Sequence, residues 1–191
     1  ALRDAEWPVR AASLGAFAAA GGRDVDAVLV LLDDEEEAVR DAASEALVAI
    51  APLVPLPAGA LDRVAQQCGS RNLAIRSSAL HLLERQAPER ARVAARERLG
   101  DSAPAIRSHA VRILATGGDE AVPLLVPLLD DPDPEVQRAA ANALATIETP
   151  MALRALVQAS VGADPDAREA LSTALARQPF SVVHEVLDEF M

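Results

Sequence analysis

Few residues in this 191-residue chain could carry nucleophilic, acid–base or metal chemistry: one cysteine, Cys68, three histidines, His81, His109 and His184, and no tyrosine. Cys68 could serve as a redox or nucleophilic thiol once deprotonated. The imidazoles could move protons near neutral pH or bind a metal, and His184 is followed by a second potential ligand, Glu185. No Gly-rich phosphate loop, nucleophile elbow or paired-His motif of the zinc-protease type accompanies them. A single Cys excludes an intramolecular disulfide framework and a multi-Cys zinc site, and it points to a reducing compartment, here taken as the cytoplasm. No stretch approaches the roughly 18 apolar residues of a membrane span.

The elements that would position these groups are set by an internal repeat. A β-branched residue followed by Arg recurs as Val9-Arg10, Val39-Arg40, Ile75-Arg76 and Ile106-Arg107, then loosens to Val136-Gln137 and Ala167-Arg168. The spacings are 30, 36, 31, 30 and 31 residues. The long interval contains Pro52, Pro55 and Pro57, an inserted loop that cannot continue a helix. After each dipeptide the apolar positions keep helical spacing, as in Val136, Ala140, Ala143, Leu144 and Ile147. A second helix precedes each dipeptide, over Val25 to Leu32, Leu61 to Cys68, Pro88 to Leu99, Glu120 to Leu129 and Pro150 to Ser160.

Asp133-Pro134 and Asp164-Pro165 place a capping carboxylate before a Pro at the first helical position. Pro127 lies deep enough in its helix to predict a kink. Gly21-Gly22 and Gly117-Gly118 sit at equivalent helix exits. The 42 Ala and only four aromatic residues fit contact columns that hold neighbouring helices close. One hairpin cannot bury its apolar stripe alone, whereas stacked hairpins share a continuous core.

The unit from Leu129 to Leu144, reading Leu-Asp-Asp-Pro-Asp-Pro-Glu-Val-Gln-Arg-Ala-Ala-Ala-Asn-Ala-Leu, resembles the short HEAT-like repeat also found in phycobilisome lyase subunits. The resemblance implies an all-α, right-handed α-α superhelix of about six hairpins over residues 1–191, with a terminal half-repeat at 181–191. It also implies a polar ladder between successive repeats, built from an Asp in the hairpin turn and an Arg six residues later. Asp4 with Arg10, Asp34 with Arg40 and Asp101 with Arg107 fit, the fifth unit has Asp131 with Gln137, and Ser70 and Gly162 replace the Asp in the third and sixth. Aligned in this way, the chain opens at the last turn of a first helix, as a segment of a longer protein would.

Within the aligned columns the reactive residues acquire structural roles. Cys68 shares a column with Leu32, Leu99 and Leu129, which predicts a buried, inert thiol. His81 falls in a solvated column, whereas His109 stands where the other units have Ala or Ser, a local packing adjustment before a ligand contact. Helical-repeat hydroxylases that bind two irons use several His-Glu pairs on separate repeats, and this chain has the one at His184. No metal, cofactor or catalytic residue is therefore expected.

The second helix of each hairpin lines the inner face in HEAT-like solenoids. The resemblance thus assigns that face to positions two and six after each dipeptide: Asp41 and Glu45, Ser77 and His81, Ser108 and Arg112, Arg138 and Asn142. Charge varies in blocks along the chain. Residues 1–62 hold 12 acids and 4 Arg, residues 63–118 hold 4 acids and 10 Arg, and residues 119–191 hold 13 acids and 4 Arg. The overall charge of −11 disfavours a nucleic-acid binder, while the central belt around Arg85, Arg90, Arg92, Arg96 and Arg98 would suit an acidic partner. All 18 basic residues are Arg, as a GC-rich bacterial genome would favour.

The expected function is a non-catalytic protein–protein interaction scaffold or adaptor working through the inner face. The alternative is a regulatory or substrate-positioning repeat region of an enzyme, either a bilin-lyase-like subunit or a HEAT-like DNA glycosylase.

Overall fold

The computed structural model describes residues 1–22, 24–50, 55–160, 172–174 and 176. Every regular element among them is helical. The chain divides into two compact units, Ala1–Ala94 and Ala95–Met191. In the first unit α1 (Trp7–Ala19), α3 (Glu37–Ile50) and α5 (Leu73–Gln86) follow successive dipeptides, and α3 packs against both α1 and α5. The preceding helices are α2 (Val25–Leu29), continued by a 3-10 turn over Val30–Asp33, and α4 (Ala58–Gln67). The division falls within α6 (Pro88–Arg98). In the second unit α7 (Pro104–Ala115) packs on α9 (Pro134–Ile147), and α9 packs on α8 (Val122–Leu125) and α10 (Pro150–Ser160).

A helix carries every dipeptide among the described residues, as expected. Ala167-Arg168, the half-repeat at 181–191 and His184-Glu185 lie outside the described residues. The stretch from Glu120 to Leu129 is not one kinked helix: a 3-10 turn at Gly118–Ala121, the single turn α8 and a second 3-10 turn at Val126–Asp130 follow one another. Pro127 supplies no backbone N–H to an α-helical ladder, and the tighter winding begins beside it.

The dipeptide column forms the core. Val39, Ile75, Ile106 and Val136 are at most 3% exposed, and Ala43, Leu47, Ala110, Leu114, Ala140 and Leu144 on the same stripe are buried with them. Val9 departs from its column at 41% exposed, and Trp7 on the same helix is also exposed. Cys68 is buried as its column predicts, and its thiol donates to the Val64 carbonyl of the turn below.

Helix exits use one backbone device. After α1, Gly22 donates to the Phe17 carbonyl and Gly21 to that of Ala18, with Gly21 left-handed at φ 69°. Twelve residues beyond their dipeptides, Gly118 (φ 64°) and Glu148 (φ 53°) occupy the same left-handed position. Glu148 has a Cβ in a region that disfavours it, and it places a negative charge at the negative end of α9. Glu148→Gly is therefore expected to stabilise the protein by about 1 kcal/mol, raising the midpoint of thermal unfolding followed by circular dichroism. Gly118→Ala should lower it.

Candidate functional site

The polar groups that fix one hairpin against the next come from the turn five residues before each dipeptide. Asp4, Asp34, Asp101 and Asp131 each accept the backbone N–H two residues ahead through Oδ1, at 2.9–3.1 Å, and Ser70 Oγ does the same at 3.2 Å. This closes the turn that launches the next helix. The Arg of the dipeptide then reaches back to the turn's carbonyls: Arg10 to Asp4 and Ala5, Arg40 to Asp34 and Glu35, Arg76 to Ser70 and Arg71, Arg107 to Asp101 and Ser102. Gln137, in the Arg position, makes the equivalent bond to the Asp131 carbonyl at 2.7 Å.

The same guanidiniums bridge forward. Arg10 binds both carboxylate oxygens of Asp34 at 2.8 Å, and Arg107 binds those of Asp131 at 2.7 and 2.8 Å. The ladder thus runs from one repeat's Arg to the next repeat's Asp, 24 residues on, while the Asp six residues before each Arg contributes its carbonyl. Arg40 meets no carboxylate in the next turn, where Ser70 stands. There Asn72 links α5 to α3 instead, donating to Asp41 at 2.7 Å while capping its own helix.

Both paired aspartates are held below the ordinary carboxylate value. For Asp34 the Arg10 hydrogen bonds outweigh the opposing effect of burial, with help from the Glu36 N–H. For Asp131 burial is the largest influence and pushes upward, but the Arg107 hydrogen bonds and the Asp133 N–H together overcome it.

The expected inner-face residues divide by unit. In the first, Asp41 is committed to Asn72, Glu45 and Ser77 are exposed, and the exposed His81 lies 3.8 Å from Glu84. In the second, Ser108 and Arg112 of α7 and Arg138 and Asn142 of α9 line one groove of about 490 Å³. Its floor is made of Ala115, Ala139 and Ala143, whose small side chains open the space between the helices. Arg138 is ion-paired with Glu135 one turn earlier, whereas exposed Arg112 has no ion pair among the described residues.

Glu135, Thr116 and Thr146 also line the groove and were not anticipated. A signal for the threonines was available, since both stand ten residues after their dipeptides in adjacent units. His109 is buried.

Part of the central basic belt is ion-paired. Arg90 pairs with Asp62, Arg92 with Glu89, Arg63 with Asp33 and Arg98 with Glu97 at 3.7 Å. Arg63 and Arg90 form a second ladder between the preceding helices. Each pairs with an Asp of the hairpin before it and also donates to the carbonyl four residues ahead of that Asp, on Leu29 and Ala58. Arg85 and Arg96 stay exposed without an ion pair among the described residues.

Comparison with known proteins agrees with this geometry. The HEAT repeats family model matches residues 93–176, across the groove, and the HEAT repeat model matches residues 25–54. The chain belongs to the HEAT-repeat family. No curated protein matches its sequence. This HEAT-repeat chain is similar to the crystal structure of an engineered protein, at 22% identity and a TM-score of 0.60 over 92% of each chain. It is similar to a designed armadillo repeat protein in complex with the peptide (KR)4, at 21% identity and a TM-score of 0.59 over 90% of this chain and 92% of that one. Human deoxyhypusine hydroxylase shares the fold at 21% identity and a TM-score of 0.54, over 92% and 81% of the two chains. These likenesses establish helical-repeat architecture. No helix among the described residues is long and apolar enough to cross a membrane.

Because the Asp131 carboxylate has a lowered folded-state pKa, its contribution is complete above the unfolded-state value and is lost as pH falls through the folded one. Asp131→Ala, which strands the nearly buried Arg107, is expected to cost about 3 kcal/mol at pH 7, measured by denaturant unfolding. That deficit should shrink on acidification, and Asp131→Asn should flatten the pH dependence.

Proposed function

We propose that the chain is a non-catalytic protein–protein interaction scaffold or adaptor, working in the cytoplasm, and that the α7/α9 groove is part of its contact surface. One observation carries this reading. Residues two and six positions after the dipeptide in adjacent repeats converge on a single groove, where two exposed arginines stand over an alanine floor. Stacked hairpins present such positions on rigid helices, so a partner meets an ordered surface with little left to reorganise. The likeness in fold to a designed armadillo repeat protein in complex with a peptide supports the same use.

The partner is acidic where it meets Arg112 and Arg138. This moves the expected acidic contact from the belt, where Arg90, Arg92 and Arg98 already have carboxylates, to the groove. A glycosylase-like use has less support, since no aromatic side chain lines the groove and Trp7 lies on α1 in the other unit.

Capture from lysate followed by mass spectrometry, comparing the wild-type chain with Arg112→Glu/Arg138→Glu, tests the proposal. Both positions are exposed, so the variant should keep its circular dichroism spectrum. Loss of a subset of captured proteins is expected, and identical partner sets would remove the groove from the contact surface.

A further inference from the structure

The groove contains more than two exposed cations. Arg138 already has a carboxylate at hand in Glu135, on the first turn of its own helix. Arg112, across the groove on α7, has none among the described residues. The groove hydroxyls differ in the same way. Thr116 and Thr146 donate to carbonyls of their own helices, Ile113 and Asn142, at 2.7 and 2.8 Å. Ser108 Oγ is screened from solvent and makes no hydrogen bond among the described residues.

Resting on the scaffold reading above, we infer that the α7/α9 groove binds a short extended peptide segment through a side-chain carboxylate held between Arg112 and Arg138, and that Glu135 is an intramolecular competitor for that carboxylate. Charge complementarity selects the occupant. The groove offers two guanidiniums against one carboxylate, so one added carboxylate balances it. A guanidinium binds a carboxylate through two parallel N–H bonds, which fixes direction as well as affinity.

The alanine floor leaves space for the side chains that flank the acid. A nucleic-acid strand fits less well. Its successive phosphates would run past Glu135 and into a unit that carries 15 acids and 8 arginines over residues 95–191.

Glu135 gives this groove a built-in threshold. A ligand carboxylate must displace a neighbour that is always present, so only a segment making additional contacts on the floor is retained. Removing that competitor should tighten binding of the carboxylate peptide.

Fluorescence anisotropy with a labelled eight-residue peptide of alternating Glu and Ala tests the inference, with a matched Gln/Ala peptide and an eight-nucleotide oligothymidylate as the other arms. Saturable binding of the Glu/Ala peptide alone is expected. Affinity should fall about tenfold in Arg112→Gln and in Arg138→Gln, as loss of a charged hydrogen-bonding partner implies, and rise several-fold in Glu135→Gln. Equal binding of the Gln/Ala peptide, unchanged affinity in the two arginine variants, weaker binding by Glu135→Gln, or preferred binding of the oligonucleotide would each overturn it. Failure of the Glu/Ala peptide to bind, in a protein whose captured partners still depend on Arg112 and Arg138, would also overturn the carboxylate assignment while leaving the scaffold reading standing.

Discussion

The guanidinium of the dipeptide arginine is the contact on which the repeat geometry depends. Arg10 and Arg107 each tie together three things: the carbonyls of their own turn, the helix they stand on, and the carboxylate of the next turn. A carboxylate or a guanidinium alone in this nearly buried position would lose hydration without compensation. Arg10 and Arg107 are matched on both ends, and the aspartate keeps a further oxygen-to-amide bond that shapes the turn. The rungs therefore act less as added stability than as a specification of spacing, setting how far one hairpin advances past the last.

Alanine makes that spacing useful. With Ala43, Ala110 and Ala140 buried on the contact stripe, the helices approach closely, and the larger Leu47, Leu114 and Leu144 fill the layer behind them. On the α7/α9 surface the same economy of volume leaves a groove instead of a ridge, because Ala115, Ala139 and Ala143 stand where larger residues would close it. Core composition and binding surface are thus two results of one preference for small side chains. The second ladder, Arg63 with Asp33 and Arg90 with Asp62, reinforces the preceding helices of the first unit at more exposed sites, where each ion pair adds little and the carbonyl bonds to Leu29 and Ala58 matter more.

Much of this was legible in the chain. The dipeptide period located the hairpins, the cap chemistry of Asp133-Pro134 marked the start of α9, and the columns predicted burial of Cys68 and exposure of His81. Four of the eight inner-face candidates, Ser108, Arg112, Arg138 and Asn142, came together in one groove, because positions two and six after the dipeptide share a helix face. Which arginines of the basic belt are ion-paired was not legible, because a sum of charges by sequence block does not show that Arg90 finds Asp62 across 28 residues or that Arg92 finds Glu89 across three.

The sequence by itself determined the all-helical repeat and its buried columns, since these rest on local propensity, capping and an apolar spacing close to one helical turn. Only the tertiary structure decided which Asp each Arg meets, that Val9 alone of its described column stays exposed, that Asp41 is occupied by Asn72, and that Glu135 and two threonines join the groove. Those outcomes depend on the stagger and separation of neighbouring helices, which arise from side-chain volumes summed across two repeats and cannot be read from either repeat alone.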